Sequence, residues 1–394
     1  MKILSIETSC DDTGVAIFSA QGGPAPGWNV LSNIVASQIE VHKKYGGVYP
    51  ALAKREHQKN LIPTIKTSLE QAKLLVKNLK LKNQNYNSKI KIIEKILERE
   101  PELYKKLIPF LKKYNKPDID LISVTNGPGL EPCLWVGVNF AKALSYFWNI
   151  PIVAVNHVES HILVNFAEHE ALNMKQIFPA ICLVVSGGHT QIILMTGIGK
   201  YKILGETRDD AAGECFDKCA KILGLGYPGG PIISSLASKM ALSPTSSKLA
   251  KLPRPMIGTK DYDFSFSGLK TAVLYADRKI KHKTQKYKME MAAEIQQAII
   301  DVLLKKTIKA AKDYKAKSII LGGGVSANTE LRKQFTAAAT PGVDGKTPGV
   351  KVIFPPSNLS TDNGLMTAIT GFYHKKDIVD WQDIRADGNL RISK

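Results

Sequence analysis

The sequence predicts an α/β protein with a hint of a duplicated lobe, and three observations carry that prediction. Two strand–turn–strand units with polar or glycine-rich turns lie one near the start and one near the middle, strand and helix runs alternate between residues 117 and 155, and a late strand runs through glycines into a helix. In chain order, residues 2–8 (KILSIET) are a β-rich run, SCDDTG at 9–14 is a polar, acidic turn, and residues 15–18 resume as strand. The design recurs at 181–185, the turn Ser186-Gly187-Gly188-His189-Thr190 and the strand 191–195. The likeness is one of geometry and not a sequence repeat.

Between these units, residues 117–125 rise into a strand that ends at Gly127-Pro128-Gly129, residues 136–147 read as a buried helix, and 152–155 as a strand. Late in the chain, 318–321 is a strand entering Gly322-Gly323-Gly324-Val325-Ser326-Ala327-Asn328 ahead of a helix at 329–339. Glycines there allow a backbone to approach a ligand, and the helix amino terminus suits a phosphate or nucleoside. Neither the Rossmann glycine spacing nor the Gly-Lys-Ser/Thr of a P-loop is present, which disfavours both classes.

At 394 residues and 44% hydrophobic, the chain is long enough for a sizeable core and for about two domains of roughly 100–200 residues. Glu7 interrupts the amino terminus before a signal-peptide core forms, and no run of about 18 apolar residues occurs, so membrane spanning and secretion are not expected. Five scattered cysteines without a Cys-x-x-Cys pair fit a reducing cytoplasm. The net charge of +19 favours a polyanionic partner. Residues 70–116 hold thirteen Lys/Arg against five Asp/Glu with apolar residues at helical spacing, and read as two or three basic helices. A second run of six cations at 278–288 could line the same face; for either run a merely solvated helix surface stands as the alternative.

His157-Val158-Glu159-Ser160-His161 is the sharpest chemical signal, because i and i+4 imidazoles share a helix face and can share a metal. The zincin motif needs Glu directly after the first His, a place held here by Val158, so metalloprotease chemistry is disfavoured. Asp362, in the polar turn Ser360-Thr361-Asp362-Asn363-Gly364, is either a third ligand or the cap of the following helix. His189 sits in a glycine turn and reads as a site residue. Cys215 and Cys219 read as buried packing, with Asp217 between them facing a ligand hydroxyl or solvent.

Taken together, IETSCDDTGVAI, HKKYGGVYPALAKREH, NGPGLEPCLWVG, NHVESH, VSGGHTQIIL, GECFDKCAKILGLGYPGGP, RPM, DFSFSGLKT, GGGVSAN and STDNG, in this order over nearly the whole chain, resemble the tRNA N(6)-adenosine threonylcarbamoyltransferase family. The resemblance implies an α/β, two-lobed actin-like, sugar-kinase-like and chaperone-ATPase-like fold with a central cleft. The lobes are expected at 1–156 and 157–365, with a basic helical insertion at about 82–116 and the C-terminal 366–394 packing back on the first lobe. It implies metal ligands at His157, His161 and Asp362, holding one divalent ion per subunit, iron ahead of zinc. It places substrate contacts at Val184, Val185, Ser186, Gly187, Gly188, Asp217, Gly230 and Asn328, and an acidic residue near the phosphates at Asp11. Asp12 stands where many bacterial relatives carry Glu.

The activity so implied moves a threonylcarbamoyl group from threonylcarbamoyl-AMP to the N6 amine of the adenosine 3′ of the anticodon, in tRNAs reading codons that start with A, and AMP leaves. A cation and the backbone N–H groups of residues 186–188 suit the charge that develops, and phosphate contacts would hold the anticodon stem. Expected partners are tRNA, a non-catalytic paralogous subunit and a P-loop ATPase, with a homodimer also open and no membrane. The rivals are an ATP-hydrolysing or sugar-phosphorylating member of the fold, a metalloendopeptidase, and a nucleic-acid-binding module without catalysis.

Overall fold

Residues 1–20, 27–78, 86–167, 174–241, 251–339 and 349–393 are described by the structure, a computed structural model. Strand β1 (Lys2–Glu7) is buried over most of its length and pairs antiparallel with β2 (Asp12–Ala20), which pairs with β3 (Trp28–Ser37). β2 begins three residues before the apolar run suggests, because Asp12, Thr13 and Gly14 continue the ladder opposite Ser37, Ala36 and Val35. The acidic turn expected at 9–14 is correspondingly shorter. Helices α1 (Ile39–His42), α2 (Pro50–Gln71), α3 (Tyr86–Ile96) and α4 (Pro101–Lys113) follow, the second and fourth opening on a proline whose missing N–H costs nothing there. The basic stretch thus holds two helices after α2; residues 82–85, including part of the break expected at 83–88, lie outside the described residues.

Strand β4 (Leu121–Gly127), α5 (Glu131–Trp148) and β5 (Ile152–Asn156) complete the first sheet, whose order is β3-β2-β1-β4-β5 with β1, β4 and β5 parallel. Helices α6 (His157–Leu163) and α7 (Met174–Ile177) lead to β6 (Ala180–Val185), β7 (Thr190–Gly197) and β8 (Lys200–Glu206). Four helices come next, α8 (Ala212–Ile222), α9 (Gly229–Ala241), α10 (Ser267–Arg278) and α11 (Gln285–Asp313). Then β9 (Ser318–Gly322), α12 (Thr329–Ala339), β10 (Lys351–Ile353) and α13 (Gly364–Tyr373) end the regular structure. The second sheet runs β8-β7-β6-β9-β10. Its pairing senses, two antiparallel and then two parallel, repeat those of the first sheet element for element. The duplication read from two turns therefore holds at the level of topology, and it is the two-lobed α/β architecture that the resemblance implied.

The sheets share a core around α6 and α13. Ile3, Ala16, Phe18 and Val153 from the first sheet and Cys182, Val184, Ile193 and Ile320 from the second close on Val158, Ile162, Met366 and Ile369. Each large side chain so buried contributes about 1.5–3 kcal/mol relative to exposure, so these two helices are anchored from both sides. Helices α3 and α4 and the turn between them pack Ile93, Leu97, Leu103, Leu107 and Leu111 into the first-lobe core beside Leu61 and Ile65 of α2. The second basic run instead joins α10 to α11, whose Val273, Tyr287 and Met291 belong to the second-lobe core. The two basic runs are therefore carried by elements that pack in different cores and do not form one helical array. Among the described residues, no helix is long and apolar enough to cross a membrane.

Helix α13 approaches β2 at backbone distance. A Cβ on Gly364 would lie 2.5 Å from Ala16 N and one on Gly14 would lie 2.7 Å from Gly364 N. The Ser5 hydroxyl donates to the Gly364 carbonyl (2.7 Å) and the Leu365 N–H donates to Asn33 Oδ1 (3.3 Å), holding the start of α13 in place. Gly364→Ala is expected to lower unfolding stability by about 1–3 kcal/mol, the usual cost of overpacking, read from the midpoint of urea denaturation. A neutral result would mean that α13 can slide away from β2.

Candidate functional site

Two imidazoles are brought together by the start of α6. Strand β5 ends at Asn156, whose Oδ1 accepts from Val158 N–H (2.9 Å) and Glu159 N–H (3.1 Å), capping the helix that begins at His157. One turn of helix then places His157 and His161 on one face, 5% and 1% exposed, with ring centroids 4.6 Å apart. Gly322, at the end of β9, lets that strand meet the helix: a Cβ there would lie 2.5 Å from the His161 carbonyl oxygen. Gly323, at φ +85°, passes equally close to the Val185 carbonyl. Packing of the scaffold thus uses two of the three late glycines, which were expected to serve ligand approach.

Asp362 arrives from the loop before α13. The cap of α13 is Asn363, whose Oδ1 accepts from Met366 N–H (3.2 Å), so the capping alternative for Asp362 falls to its neighbour and the Asp362 carboxylate is free to turn toward the imidazoles. Arg332 of α12 steadies the same loop by donating to Pro355 O (2.8 Å) and Ser360 Oγ (3.1 Å). Asp362 Oδ1 lies 3.1 Å from His161 Nε2 and 3.7 Å from His157 Nε2. One ligand atom from each of the three residues lies within 4.8 Å of the others. Both ring nitrogens of His161 are buried, Nδ1 without a partner among the described residues and Nε2 facing only the Asp362 carboxylate. Buried polar atoms left so are costly, and two imidazoles with one carboxylate are donors suited to a divalent metal. The trio therefore fits a metal site.

Behind it stands Glu7, which in the sequence stood out only as an interruption of an apolar run. Its carboxylate is fully buried, 3.5 Å from His157 Nδ1, and accepts from Ser9 N–H (2.7 Å) and from the Thr125 and Thr367 hydroxyls. A carboxylate on the far nitrogen of a ligating histidine fixes ring orientation and raises its basicity. Burial alone would depress the His157 pKa, but Asp362 and Glu7 outweigh it and push it up to about 9. Burial likewise works to raise Asp362, yet His157, His161 and His189 hold its carboxyl well below the usual range. A strand ending in a lone buried acid was the available signal for Glu7.

The acidic turn of the first lobe faces this centre. Burial and the charge of Asp362 raise the Asp11 pKa, and burial carries Asp12 up to about 7. His57 of α2 secures the turn, its Nδ1 2.8 Å from Thr13 Oγ1 and its Nε2 3.0 Å from Cys10 O. Across the gap, Tyr227 and Asp217 of the second lobe feel the Asp11 charge. Half-buried Asp217 accepts from Gly229 N–H (2.6 Å) and from Gly230 N–H, and burial raises its pKa to about 6. Asn328 caps α12 through Leu331 N–H (3.0 Å) and donates to Gln296 (2.8 Å).

In the second glycine turn, Val184 and Val185 are buried strand, whereas a Cβ on Gly187 or Gly188 would meet nothing within 4 Å. Ser186 N–H already donates to His189 O (2.8 Å), and Ser186 Oγ accepts from Gly188 N–H (3.3 Å) and His189 N–H (3.1 Å). Of the three N–H groups expected to stabilise charge, only that of Gly187 is without a protein partner among the described residues. His189 is brought to the centre, its ring 6.2 Å from that of His157, and burial beside two imidazoles lowers its pKa to about 4. Glu159 accepts from Tyr201 Oη (2.7 Å) and lies 2.9 Å from His374 Nε2, turned away from the trio, which removes the general base a metalloendopeptidase needs. Cys215 and Cys219 are buried with sulfurs 3.9 Å apart, as packing residues.

Protein purified without chelator is expected to retain a divalent metal by elemental analysis, with His161→Ala and Asp362→Ala at background. Glu7→Gln, which keeps the ligands but removes the charge behind His157, is expected to weaken metal affinity by about 10–100-fold in a competition with a chromogenic chelator.

Known proteins resemble this chain over nearly its whole length. The profile of the family described as "TsaD: tRNA N6-adenosine threonylcarbamoyltransferase" matches residues 29–81 and 102–369, passing over part of the basic helical stretch. A protein of that name from Persephonella marina is 40% identical over 395 residues, covering all of this chain and 95% of the relative. Another from Thermosipho africanus is 40% identical over 393 residues and is matched end to end, and one from Syntrophomonas wolfei is 41% identical over 94% of this chain and 92% of its own. A crystal structure of full-length HypF in its phosphate- and nucleotide-bound form shares the fold at a TM-score of 0.52, with 11% identity over 95% of this chain and 46% of that one. With the family profile and these end-to-end relatives in agreement, the chain belongs to the tRNA N6-adenosine threonylcarbamoyltransferase family.

Proposed function

We propose that this chain is an acyltransferase that moves the threonylcarbamoyl group of threonylcarbamoyl-AMP onto the N6 amine of the adenosine 3′ of the anticodon, in tRNAs reading codons that begin with A. The observation that carries the reading is the trio of buried His157 and His161 with half-buried Asp362, set between two lobes of a chain that belongs to a family named for this transfer. In the reaction, the bond between the carbonyl carbon and the AMP oxygen breaks, a bond from N6 to that carbon forms, and the amine gives up one proton. The exocyclic amine is a weak nucleophile, so the site must position it and stabilise the charge developing on the carbonyl.

His157, His161 and Asp362 would hold the divalent ion, iron ahead of zinc, with Glu7 orienting His157. When bound, such an ion supplies Lewis-acid stabilisation of a substrate oxygen. The Gly187 N–H is the remaining backbone donor in its turn, and the open space around Gly187 and Gly188 suits a substrate lying against residues 184–188. Asp11, raised in pKa by burial and by Asp362, suits the role of accepting the amine proton. Asp217 with Gly230, and Asn328, serve by shaping the starts of α9 and α12 that border the nucleotide. The lobes are taken as 1–156 and 157–365, with 366–394 returning to the first. A non-catalytic paralogous subunit and a P-loop ATPase belong to this reading as partners, a homodimer is compatible with it, and the cytoplasm is its compartment.

Nucleoside mass spectrometry on unmodified tRNA, incubated with the protein and threonylcarbamoyl-AMP, tests the proposal. Threonylcarbamoyladenosine is expected, alone or on adding the partner subunits, and His161→Ala should reduce it by at least about 100-fold, the scale of removing one stabilising group at a reacting centre. AMP release without modified nucleoside under every condition would overturn the transferase reading in favour of hydrolysis.

A further inference from the structure

We infer that the outer face of α4, together with the segment that pairs with its C-terminal end, is a docking surface for the phosphate backbone of RNA. The apolar side of α4 is fixed inward by Leu103, Leu107, Phe110 and Leu111. That leaves Lys105, Lys106, Lys112 and Lys113 exposed at i, i+1, i+7 and i+8, two rows about two turns long. Directly after the helix, Asn78 N–H donates to Lys113 O (2.9 Å) and Asn115 N–H donates to Val76 O (2.9 Å), around a bridge between Lys77 and Tyr114. This pairing brings the exposed Lys77 beside the end of the helix, and the exposed Lys73 lies one short stretch of chain before it.

No acidic residue occurs in 72–78 or in 103–117. The flanking acids are already engaged: Glu70 with Lys66, Glu102 with Arg55 and Asp118 with Lys2. None of the six lysines is paired to a carboxylate among the described residues. Lys106 donates to the Lys59 carbonyl (3.0 Å) and Lys113 lies 5.7 Å from the Tyr114 ring centre, contacts that leave their charge unneutralised.

A surface kept only for solubility interleaves its signs, and the adjacent helix α3 does so with the turn that follows it, presenting Lys91, Glu94, Lys95 and Glu98 outward. Complementing the helix dipole accounts for cations in the last turn, Lys112 and Lys113, but not for Lys105, Lys106, Lys73 or Lys77. Like charges held this close repel unless a polyanion neutralises them. Lysines are point-charge donors without the planar fork that reads base edges, so the surface suits sequence-independent contact with phosphates. RNA as the occupant rests on the proposed function, in which tRNA is the substrate.

The test uses the full chain with all six lysines changed to Gln, a good helix former at exposed positions, and compares it with wild type and with His161→Ala for binding of unmodified tRNA between 50 and 200 mM salt, on the order of the range over which phosphate contacts respond most. For the six-site variant, tRNA affinity is expected to fall by about tenfold or more at the low-salt end. The slope of log affinity on log salt should become shallower by about 0.7–0.9 for each phosphate no longer engaged. His161→Ala should keep the wild-type slope. In turnover, KM for tRNA should rise with kcat held. Equal slopes for wild type and the six-site variant would overturn the surface while leaving the transferase reading intact. Failure of wild type to bind tRNA at all would instead remove the reading beneath it. Lysine-dependent binding to phosphatidylserine vesicles, with tRNA binding unchanged, would assign the face to a membrane and overturn the proposal.

Discussion

The close approach of α13 to strand β2 is the contact on which the centre depends. Gly364 can lie against the backbone of Ala16 only without a side chain, and Gly14 meets it from the other direction on the same condition. This contact sets the height of the loop that carries Asp362, two residues before Gly364, while the two histidines come from a helix fixed by the opposite sheet through Gly322. The trio is thus assembled from elements anchored in different lobes. Rigid elements hold a functional set of side chains more precisely than a loop does, and here Asp362, the one member of the trio on a loop, is steadied by Asn363 and by Arg332 on its two sides.

Charge in a dry site has to be balanced locally, and the centre shows how. Glu7 and His157 are buried beside Asp362, where burial by itself would drive each of these three toward its neutral form. Their mutual attraction overcomes that penalty, whereas Asp11 and Asp12, with less compensation, are pushed toward protonation. A carboxyl that changes state near neutrality, next to a fully charged one, is the kind of pairing that acid–base work requires. The same geometry makes Glu159 a structural residue, tying α6 to Tyr201 of β8 and to His374 after α13 across the junction of the lobes.

The two scales of recognition are physically separate. In the proposed reading, the centre between the lobes handles one nucleoside and one acyl group with a few polar side chains, while α4 offers exposed lysines that carry no base-reading geometry. Such a division lets affinity for a large polyanion be supplied away from the chemistry, where contacts can position without specifying. It also gives α4, which apart from Pro101 lies within the family profile, a role beyond covering α2, whereas the profile passes over α3.

By itself the sequence determined the α/β alternation, the two hairpin turns, the helical spacing of His157 and His161 and the misplacement of Glu159, because each of these is local and periodic. For Asp362, more than 200 residues away from the histidines, the residues left ligand and helix cap open, and the resemblance pointed to the ligand. Only the tertiary structure decided that Asn363 and not Asp362 caps α13, that Glu7 stands behind His157, that two of the three late glycines serve packing and that two of three turn N–H groups are already engaged. It also separated the two basic runs onto different lobes. The physical reason is the same in each case: which of several polar groups in a short segment is satisfied, and by what, depends on elements that reach it from distant parts of the chain.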